Sequence, residues 1–399
     1  MKILYISTAF PICEEGSTIY TDLAEELDKE GHKIIVAVAE GKNKFTTKIE
    51  NERGFEVLRI KVNNYYNVGF IKKGLASITI SNRMIKGLRK HLRDYTCDLI
   101  LFESPPVTMY KTVRWAMRRF RCPSYLMLKD IFPQNGVDLG IYSRKSLIFK
   151  YFRRQEKEMY CTATSIGCMS DANRQYILKH NKNLAENKVG IFPNTKKICE
   201  IPSKPDAYIF RKKYGIPESA IVFLFGGNMG KPQALDFLAQ TIIKLKNEKN
   251  IFFAMIGRGN EKQRIKDKLT SEGCKNFIML DNMARDEYEQ FVLECDVGLI
   301  LLDYNFTIPN YPSRILTYME YSMPILSATD KVTDVRDMIQ RANCGISCFS
   351  NDLTSFVDKV CLLASDKQLR IEMGNNGRNF VEKNFDVNKS VKIINDVLN

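Results

Sequence analysis

The sequence predicts an α/β protein made of two doubly wound, Rossmann-like domains that face a cleft. Short apolar runs of strand length alternate with helical patterns along the chain, as parallel sheets covered by helices require. At 399 residues the chain exceeds one typical domain and fits two of roughly 200 residues. The expected domains are residues 1–193 and 194–380, with a C-terminal helix within residues 381–399 that packs back toward the first domain.

The first domain is expected to begin with a strand, a loop and a helix. The strand covers residues 2–7, the loop contains Gly16, and the helix covers residues 18–30. In a doubly wound sheet such a loop lies at the carboxyl end of the strands, where ligands bind. Further strands are predicted at residues 33–39, 55–62, 99–102, 124–128 and 188–192.

Polar residues follow two of these strands. Glu103 comes directly after the strand at 99–102, and Lys129 and Asp130 follow the strand at 124–128. Because parallel strands end at the same edge of a sheet, both strand ends are expected to open onto one cleft.

Positive charge is concentrated in the first half of the chain. The net charge is +14, and residues 1–195 contain 32 Lys and Arg against 20 Asp and Glu, whereas the remainder contains 28 against 26. Basic and apolar residues are interleaved in residues 69–95, 110–121 and 142–160. Any one segment fits an ordinary helix with a solvated face, but all three together favour docking on anionic lipid headgroups. Nucleic-acid binding is disfavoured, because no RNA- or DNA-binding motif is present.

The cysteine and histidine content argues against metal sites and disulfides. The eleven Cys are scattered without a CxxC pair, and only three His are present, so no metal site is predicted. The first strand is too short for the apolar region of a signal peptide, and no apolar segment is long enough to span a bilayer. We expect a reduced, cytoplasmic protein whose membrane contact is peripheral.

The second domain repeats a strand followed by a glycine or polar turn. Strands are predicted to begin near residues 220, 251, 276, 296, 325 and 345, and helices are predicted at 233–249 and from 353 onward. Glycine turns follow two strands, at residues 226–230 and 257–259, where a phosphate or a sugar can approach the main chain. A P-loop ATPase or kinase is disfavoured, because no GxxxxGK[ST] motif is present.

Residues 306–329 are expected to contain an anion site. Prolines keep the first part extended, and Ser313 is placed to cap a helix at residues 314–321, which Arg314 begins. A short buried strand follows the helix directly. This arrangement favours a nucleotide diphosphate site, and an ordinary capped helix is the alternative.

These motifs together resemble the donor domain of the retaining GT-B glycosyltransferases of family 4. The resemblance rests on residues 226–230, 256–259, 295–302 and 312–326, and it covers nearly the whole chain in order. Within the family the sequence is most similar to bacterial O-antigen and capsule enzymes that transfer N-acetylated sugars such as N-acetylfucosamine. Residues 129–133, Lys-Asp-Ile-Phe-Pro, resemble that group's Arg-Asp-Leu-Trp-Pro element.

The resemblance implies a UDP-sugar donor held by the second domain, an acceptor held by the first, and retention of the anomeric configuration. It implies no metal and no other cofactor, because helix amides and basic side chains take the charge of the diphosphate. Asp130, Glu103 and Lys129 are the catalytic candidates, and Asp130 or Glu103 would orient or deprotonate the acceptor hydroxyl, with a structural carboxylate as the alternative for each. The donor-binding candidates are Gly16, Gly227, Asn228, Arg258, Ser313, Arg314, Ile315, Thr317 and Glu320. Among these, Arg314, Arg258 and the amides of Gly227 and Asn228 would face the leaving phosphate.

Several positions depart from the family pattern. The second of the family's paired glutamates falls at Thr317, and Glu320, one turn on, is the candidate replacement at the ribose. Asn228 and Gln233 stand where Arg and Lys are common. The expected function is that of a peripheral enzyme on the inner face of the plasma membrane, which extends a polyprenyl-diphosphate-linked saccharide in O-antigen or capsule assembly. A UDP-sugar 2-epimerase and a catalytically impaired nucleotide-sugar-binding protein are the alternatives.

Overall fold

The computed structural model shows two units, each with its own sheet. It describes residues 1–41, 45–64, 70–202 and 208–398. Unit 1 consists of Met1–Lys197 and Val387–Asn399, and unit 2 consists of Ile198–Asp386. The first division lies four residues after the boundary predicted at residue 193, and the second lies within the predicted C-terminal segment.

The sheet of unit 1 is parallel except at one edge. Its strands are β1 (Lys2–Ser7), β2 (Lys33–Glu40), β3 (Lys48–Glu52), β4 (Phe55–Lys61), β5 (Leu99–Ser104), β6 (Ser124–Leu128), β7 (Ser165–Cys168) and β8 (Val189–Ile191). Their order is β3-β4-β2-β1-β5-β6-β7-β8, and β3 runs antiparallel to β4. Two strands were not predicted, because neither has a long apolar run: β3 is polar and exposed, and β7 has only four residues.

In the described residues, the first part of unit 1, up to Lys197, contains six α-helices. They are α1 (Ile19–Lys29), α2 (Phe70–His91), α3 (Tyr110–Phe120), α4 (Gln134–Asp138), α5 (Leu147–Thr162) and α6 (Asp171–His180). Helix α1 begins where predicted, because the Thr18 side chain accepts hydrogen bonds from the amides of Tyr20 and Thr21. The basic segment 69–95 includes α2, but residue 69 lies outside the described residues, as do the side chains of residues 70–78.

Unit 2 is built on a second parallel sheet. Its strands are β9 (Ile221–Gly226), β10 (Ile251–Ile256), β11 (Phe277–Leu280), β12 (Val297–Leu301), β13 (Ile325–Thr329) and β14 (Gly345–Phe349), in the order β11-β10-β9-β12-β13-β14. Its helices are α7 (Ile209–Tyr214), α8 (Leu235–Lys244), α9 (Lys262–Ser271), α10 (Arg285–Leu293), α11 (Arg314–Glu320), α12 (Val335–Ala342), α13 (Leu353–Ser365) and α14 (Lys367–Asn384). The helix predicted at 233–249 is shorter, since turns replace it after Lys244. The prediction of two Rossmann-like sheets is confirmed.

The last helix, α15 (Val387–Leu398), belongs to unit 1. Val391 and Ile394 are buried in the same hydrophobic cluster as Leu23 and Leu27 of α1. The core of unit 1 therefore combines residues from both ends of the chain. Within the described ranges, no helix has both the length and the apolar character that crossing a lipid bilayer requires.

Each sheet contains a point at which the strand order changes direction. This point lies between β1 and β5 in unit 1 and between β9 and β12 in unit 2. Ligands of doubly wound folds bind beside the carboxyl ends of the strands at such points. In unit 1 these ends carry Ser7 and Glu103, and in unit 2 the end of β9 carries the first glycine turn.

The turns after β9 and β10 are packed directly against each other. The Gly227 amide donates to the Ile256 carbonyl at 2.8 Å, and the Met229 amide donates to the Arg258 carbonyl at 2.7 Å. Gly257 has a φ of +153°, and a Cβ atom at this position would lie 1.8 Å from the Gly227 oxygen. The contact between the two turns therefore requires glycine at position 257.

We expect Gly257→Ala to lower the free energy of unfolding of unit 2 by about 1–3 kcal/mol, since the added methyl group must push the two turns apart. Urea denaturation followed by circular dichroism measures this difference. Gly190→Ala is the control, because a Cβ atom at Gly190 would meet no atom within 4 Å. Equal stability of the two variants would contradict the close contact between the turns.

Candidate functional site

In unit 2, the guanidinium group of Arg314 lies beside the end of β9. Arg314 is the first residue of α11. Its Cζ atom lies 4.6 Å from the centre of the Phe225 ring, and its Nη2 donates to Oε1 of Gln233. A Cβ atom at Gly227 would lie 3.3 Å from the same Cζ atom. The absence of a side chain at Gly227 thus exposes main chain next to a cation.

The positive charge of Arg314 is buried and has no carboxylate partner among the described residues. Arg314 as a whole residue is half-buried, but its Nη1 atom is buried and makes no hydrogen bond with a described residue. Burial lowers the pKa of Arg314, and the nearby Tyr318 and Tyr288 oppose this effect. A buried cation with an unused N–H group favours an anion as its ligand, because charge-assisted hydrogen bonds then replace the lost hydration.

Two tyrosines that the sequence analysis missed complete the surroundings of this strand end. The Tyr318 hydroxyl donates to the Leu224 carbonyl at 3.1 Å and accepts from the Gly226 amide at 3.0 Å. A Cβ atom at Gly226 would lie 2.0 Å from the Tyr288 hydroxyl oxygen. In the sequence, these neighbours are indicated only by the two glycines at residues 226 and 227, because a residue without a side chain leaves room for bulky side chains from elsewhere.

The two amides predicted to face the phosphate differ in their hydrogen bonds. The Gly227 amide already donates to the Ile256 carbonyl, which corrects the prediction that this amide binds phosphate. The reason is the direct pairing of the two glycine turns, which the sequence does not show. Asn228 is exposed, and no hydrogen bond of its amide is found among the described residues. Asn228 therefore keeps a donor for a ligand beside Arg314.

Arg258 lies in the turn after β10, with an exposed side chain. Its carbonyl oxygen is fixed by the Met229 amide. The pKa of the Asp281 carboxyl is lowered mainly by its hydrogen bond from Lys262, with a smaller contribution from the charge of Arg258. Arg258 thus adds positive charge at the same edge of the sheet as Arg314.

Ser313 does not cap helix α11, contrary to the prediction. Its side chain makes no capping hydrogen bond, because the residue itself has helical angles, with φ −64° and ψ −22°. The first amides of the helix are instead taken by main-chain carbonyls: Ile315 donates to Pro312 and Leu316 donates to Ser313. The Ser313 side chain is exposed and remains near Arg314 in sequence.

The other candidates on α11 differ in accessibility. The Ile315 side chain is fully buried in the core, which leaves no side-chain surface for the predicted donor contact. Thr317 is half-buried. Glu320 is buried, and its Oε1 accepts from the Cys199 amide at 3.0 Å, so its carboxylate holds the start of unit 2 in place. Glu320 was the candidate for a contact with the ribose, and the structure gives its carboxylate this structural role instead.

In unit 1, Glu103 lies at the end of β5, next to the end of β1. Its Oε1 accepts from the Ser7 hydroxyl at 2.7 Å and from the Thr8 amide at 2.6 Å. Its Oε2 is buried and makes no well-aligned hydrogen bond with a described residue, and the Tyr5 hydroxyl lies beside the carboxylate. Burial raises the pKa of Glu103 to about 7, against the opposing effect of the Thr8 and Ser7 hydrogen bonds. The carboxyl group therefore changes protonation near neutral pH.

Lys129 follows the neighbouring strand β6. Its amide donates to the Ser104 carbonyl at 3.2 Å, and its Nζ donates to Oδ1 of Asn194 at 2.9 Å. Burial lowers the pKa of Lys129 to about 7, and the negative charge of Glu103 opposes this effect. The structure thus brings Glu103 and Lys129 together, as expected for two neighbouring strand ends.

Asp130 is half-buried beside Lys129, and its Oδ2 accepts from the Asn135 side chain at 3.0 Å. The structure therefore places all three catalytic candidates of the sequence analysis at one edge of the unit 1 sheet. Asn194, which holds Lys129, was not predicted, because it lies 65 residues further along the chain.

Gly16 lies in the loop after β1, which arginines of the β3–β4 region hold in place. The Gly16 carbonyl accepts from Arg53 at 2.5 Å, and its amide donates to the Cys13 carbonyl at 3.1 Å. The fully buried Arg59 donates to the Phe10 carbonyl of the same loop at 3.0 Å. Both main-chain groups of Gly16 are thus used within unit 1, and its predicted donor contact remains a prediction.

Within the described ranges, no group of three His, Cys, Asp or Glu lies close enough together to hold a metal ion. The charged groups at the strand ends are instead Arg314 in unit 2, which has no carboxylate partner among the described residues, and the neighbouring Glu103 and Lys129 in unit 1. The first arrangement suits binding of an anion, and the second suits proton transfer near neutral pH.

A comparison with protein families gives a match in unit 2. Residues 206–380 match the family described as glycosyl transferases group 1. This range contains strands β9 to β14, and therefore both glycine turns and Arg314.

Two related proteins also match. WbjE of Pseudomonas aeruginosa, named a probable glycosyltransferase, is 24% identical over 273 residues, which are 67% of this chain and 66% of WbjE. WcaI of Escherichia coli K12, whose name refers to a glycosyl transferase of colanic acid biosynthesis, is 28% identical over 136 residues, which are 34% of this chain and 33% of WcaI. The matched region thus spans less than two thirds of the length of either relative.

Among solved structures, HepE of Anabaena in complex with UDP and glucose is similar to this chain. The TM-score is 0.74 at 14% identity, and the match covers 100% of this chain and 99% of HepE. Residues 206–380 therefore carry the sequence pattern of the group 1 glycosyltransferases, and the whole chain has the two-sheet fold of the GT-B glycosyltransferases.

Proposed function

We propose that this protein is a retaining glycosyltransferase that moves an N-acetylated sugar from a UDP-sugar to a polyprenyl-diphosphate-linked saccharide in O-antigen or capsule assembly. The proposal rests on the guanidinium group of Arg314. Its Nη1 atom is buried without a hydrogen-bond partner among the described residues, and the group lies beside the main chain of Gly227, which no side chain covers. The diphosphate of the donor would provide the anion that the described residues do not provide.

Departure of UDP is the step that most needs stabilisation. Negative charge accumulates on the leaving phosphate while the bond to the anomeric carbon breaks, and donors fixed in advance lower the barrier to this charge separation. Arg314, Arg258 and the Asn228 amide are the groups of unit 2 that we assign to this task. Because they supply positive charge directly, we propose that the reaction needs no metal ion and no other cofactor.

The comparisons support the class of donor and the class of product. HepE was crystallised with UDP and glucose, and its fold resembles that of the whole chain. The name of WcaI refers to the biosynthesis of colanic acid. The N-acetylated sugar and the retention of configuration rest on the resemblance of residues 129–133 and 312–326 to the family 4 enzymes.

Unit 1 is the proposed acceptor-binding unit. We assign to Glu103 the role of the base that takes the proton of the acceptor hydroxyl, because its carboxyl group has a pKa raised to about 7. Lys129, held by Asn194, supplies positive charge beside this carboxylate below about pH 7, and we assign to Asp130, at the same strand end, the role of orienting the acceptor.

We place this activity in the cytoplasm, at the inner face of the plasma membrane. A lipid-linked acceptor is confined to a membrane, so the enzyme has to act at its surface. The cysteine thiols of the described residues are free, including the exposed Cys13, Cys161, Cys199 and Cys361, which suits a reducing compartment.

One observation favours a second candidate function, a nucleotide-sugar-binding protein with impaired catalysis. Thr317 occupies the position of a family glutamate, and Glu320 is engaged with the Cys199 amide. A protein of this kind would bind UDP through Arg314 without turning over its sugar nucleotide. An assay with a panel of UDP-sugars and lipid-linked acceptors separates the two functions, because the proposed enzyme forms a glycosylated lipid and the impaired protein forms none.

We expect Arg314→Ala to weaken UDP binding by about 10- to 150-fold, since a charge-assisted hydrogen bond to the diphosphate contributes about 1.5–3 kcal/mol. Isothermal titration calorimetry with UDP measures the Kd. Arg314→Lys should lie between wild type and Arg314→Ala, because it keeps the charge but loses the planar fork.

Arg264→Ala is the control for this measurement. Arg264 lies in the same unit but is half-exposed and paired with Asp236 and Glu261, so its loss should leave the Kd for UDP unchanged. Thermal unfolding of each variant shows whether the unit remains folded. An unchanged Kd in a folded Arg314→Ala variant would refute the proposed donor site.

The pH dependence of kcat/KM should be bell-shaped with a maximum near pH 7. Below this pH the Glu103 carboxyl, whose pKa is raised to about 7, becomes protonated and can no longer accept the hydroxyl proton. Above it, Lys129, whose pKa is lowered to about 7, loses its charge. Glu103→Gln should remove the acidic limb and Lys129→Arg the alkaline limb, measured with a soluble acceptor.

A wild-type profile that is flat between about pH 6 and pH 8 would contradict this assignment. Retention of the acidic limb in Glu103→Gln would show that another group, with Asp130 the first to test, takes the proton.

A further inference from the structure

We propose that the outer face of helix α5 is a docking surface for an anionic lipid bilayer. We call this surface the α5 face and define it by the apolar residues Ile141, Leu147, Ile148 and Tyr151 and the cations around them. The purpose of such docking rests on the proposed function, since it would bring the enzyme to a lipid-linked acceptor, but lipid binding itself requires no turnover.

The apolar residues of the α5 face are unusually exposed. Leu147 is 81% exposed, Ile141 49%, Ile148 45% and Tyr151 36%. The other exposed large apolar residues that the structure describes are scattered singly or in a pair, whereas these four fall within residues 141–151. Scattered apolar side chains need no explanation, but a cluster at one end of a helix marks a surface for association.

The exposure is built into an ordered local structure. The Ser146 hydroxyl caps α5 by accepting from the Phe149 amide at 3.2 Å. The Tyr142 hydroxyl donates to the Pro133 carbonyl at 3.0 Å, which anchors the segment before the helix. Phe152, on the inner side of α5, is buried and lies 5.0 Å from the Phe132 ring. These contacts fix the segment before α5 and the inner side of the helix, and Leu147 and Ile148 therefore remain exposed.

Cations surround the apolar residues without compensating acids. The exposed charged residues between positions 139 and 157 are all basic: Arg144, Lys145, Lys150, Arg154 and Lys157. The nearest carboxylates are engaged with other groups: Asp138 accepts from the Gln134 side chain, Glu156 is buried and pairs with Arg153, and Glu158 pairs with Arg114 of α3. Positive charge around an apolar patch complements phosphate headgroups above acyl chains.

This combination distinguishes α5 from the basic helix α3. On α3, Arg118 and Arg119 are exposed, but the apolar side chains are buried or half-buried. A surface with cations alone would bind many polyanions, and a surface with apolar residues alone would favour a second copy of the chain. Because the α5 face has both within three helical turns, we commit to an anionic bilayer as its occupant.

The test is cosedimentation of the full chain with vesicles of phosphatidylcholine alone and of phosphatidylcholine mixed with phosphatidylglycerol. Wild type should bind the mixed vesicles, bind less as salt is raised, and not bind the neutral vesicles. Lys150→Gln/Arg154→Gln should lower the binding constant by roughly 25-fold, about fivefold for each lost charge. Leu147→Ser/Ile148→Ser should lower it by at least about tenfold.

Two matched controls lie in unit 2. Leu362→Ser/Ile371→Ser removes exposed apolar residues of similar accessibility, and Lys244→Gln/Lys249→Gln removes exposed charges from α8 and the turn after it. Both controls should bind the mixed vesicles as wild type does. Circular dichroism and thermal unfolding confirm that the exposed substitutions leave the fold intact.

The proposal is overturned if wild type ignores the mixed vesicles or if the α5 variants bind them as tightly as wild type. It is also overturned if analytical ultracentrifugation shows a dimer that the α5 variants dissociate while vesicle binding is unchanged, because the face would then join two copies. Transfer to a short soluble acceptor should be equal in wild type and the α5 variants. Vesicle binding as expected without any transfer would refute the proposed function and leave the docking surface standing.

Discussion

The uncompensated charge of Arg314 is the constraint around which the end of the unit 2 sheet is built. Phe225 lies under the guanidinium plane, Gln233 offers a neutral oxygen, and Gly227 leaves the space above it without a side chain. None of these three described neighbours carries a negative charge that would neutralise the cation. Leaving a buried charge unpaired costs several kcal/mol, so a bound anion stabilises the unit and binds more tightly for the same reason. Affinity and stability are therefore linked at this position.

Unit 1 uses charge in a different way. Glu103 and Lys129 have opposite charges at adjacent strand ends, and burial shifts the pKa of each toward neutrality. A fixed cation in unit 2 suits a ligand whose charge is permanent, such as a diphosphate, whereas a pair that titrates near pH 7 suits the movement of a proton. The same fold thus supports two kinds of chemistry, because the residues after the strands differ while the strands themselves do not.

The apolar runs were sufficient to predict most strands, because a parallel strand buried on both faces must be apolar. They also predicted that Glu103 and Lys129 meet, since that depends only on β5 and β6 being neighbours. The errors concern partners that lie far away in the sequence. The Gly227 amide is taken by the next strand's turn, Glu320 by a residue 121 positions earlier, and Ser313 adopts helical angles that no propensity fixes. These contacts depend on packing between residues far apart in the sequence, which a local sequence pattern cannot predict.

The position of α15 also affects how the chain can reach its folded state. Unit 1 is synthesised first, yet Val391 and Ile394 enter its core only after all of unit 2 has left the ribosome. During translation, the apolar surface of α1 that α15 later covers therefore stays exposed until α15 has been synthesised. Exposed apolar surface of this kind promotes aggregation and is a target for chaperones.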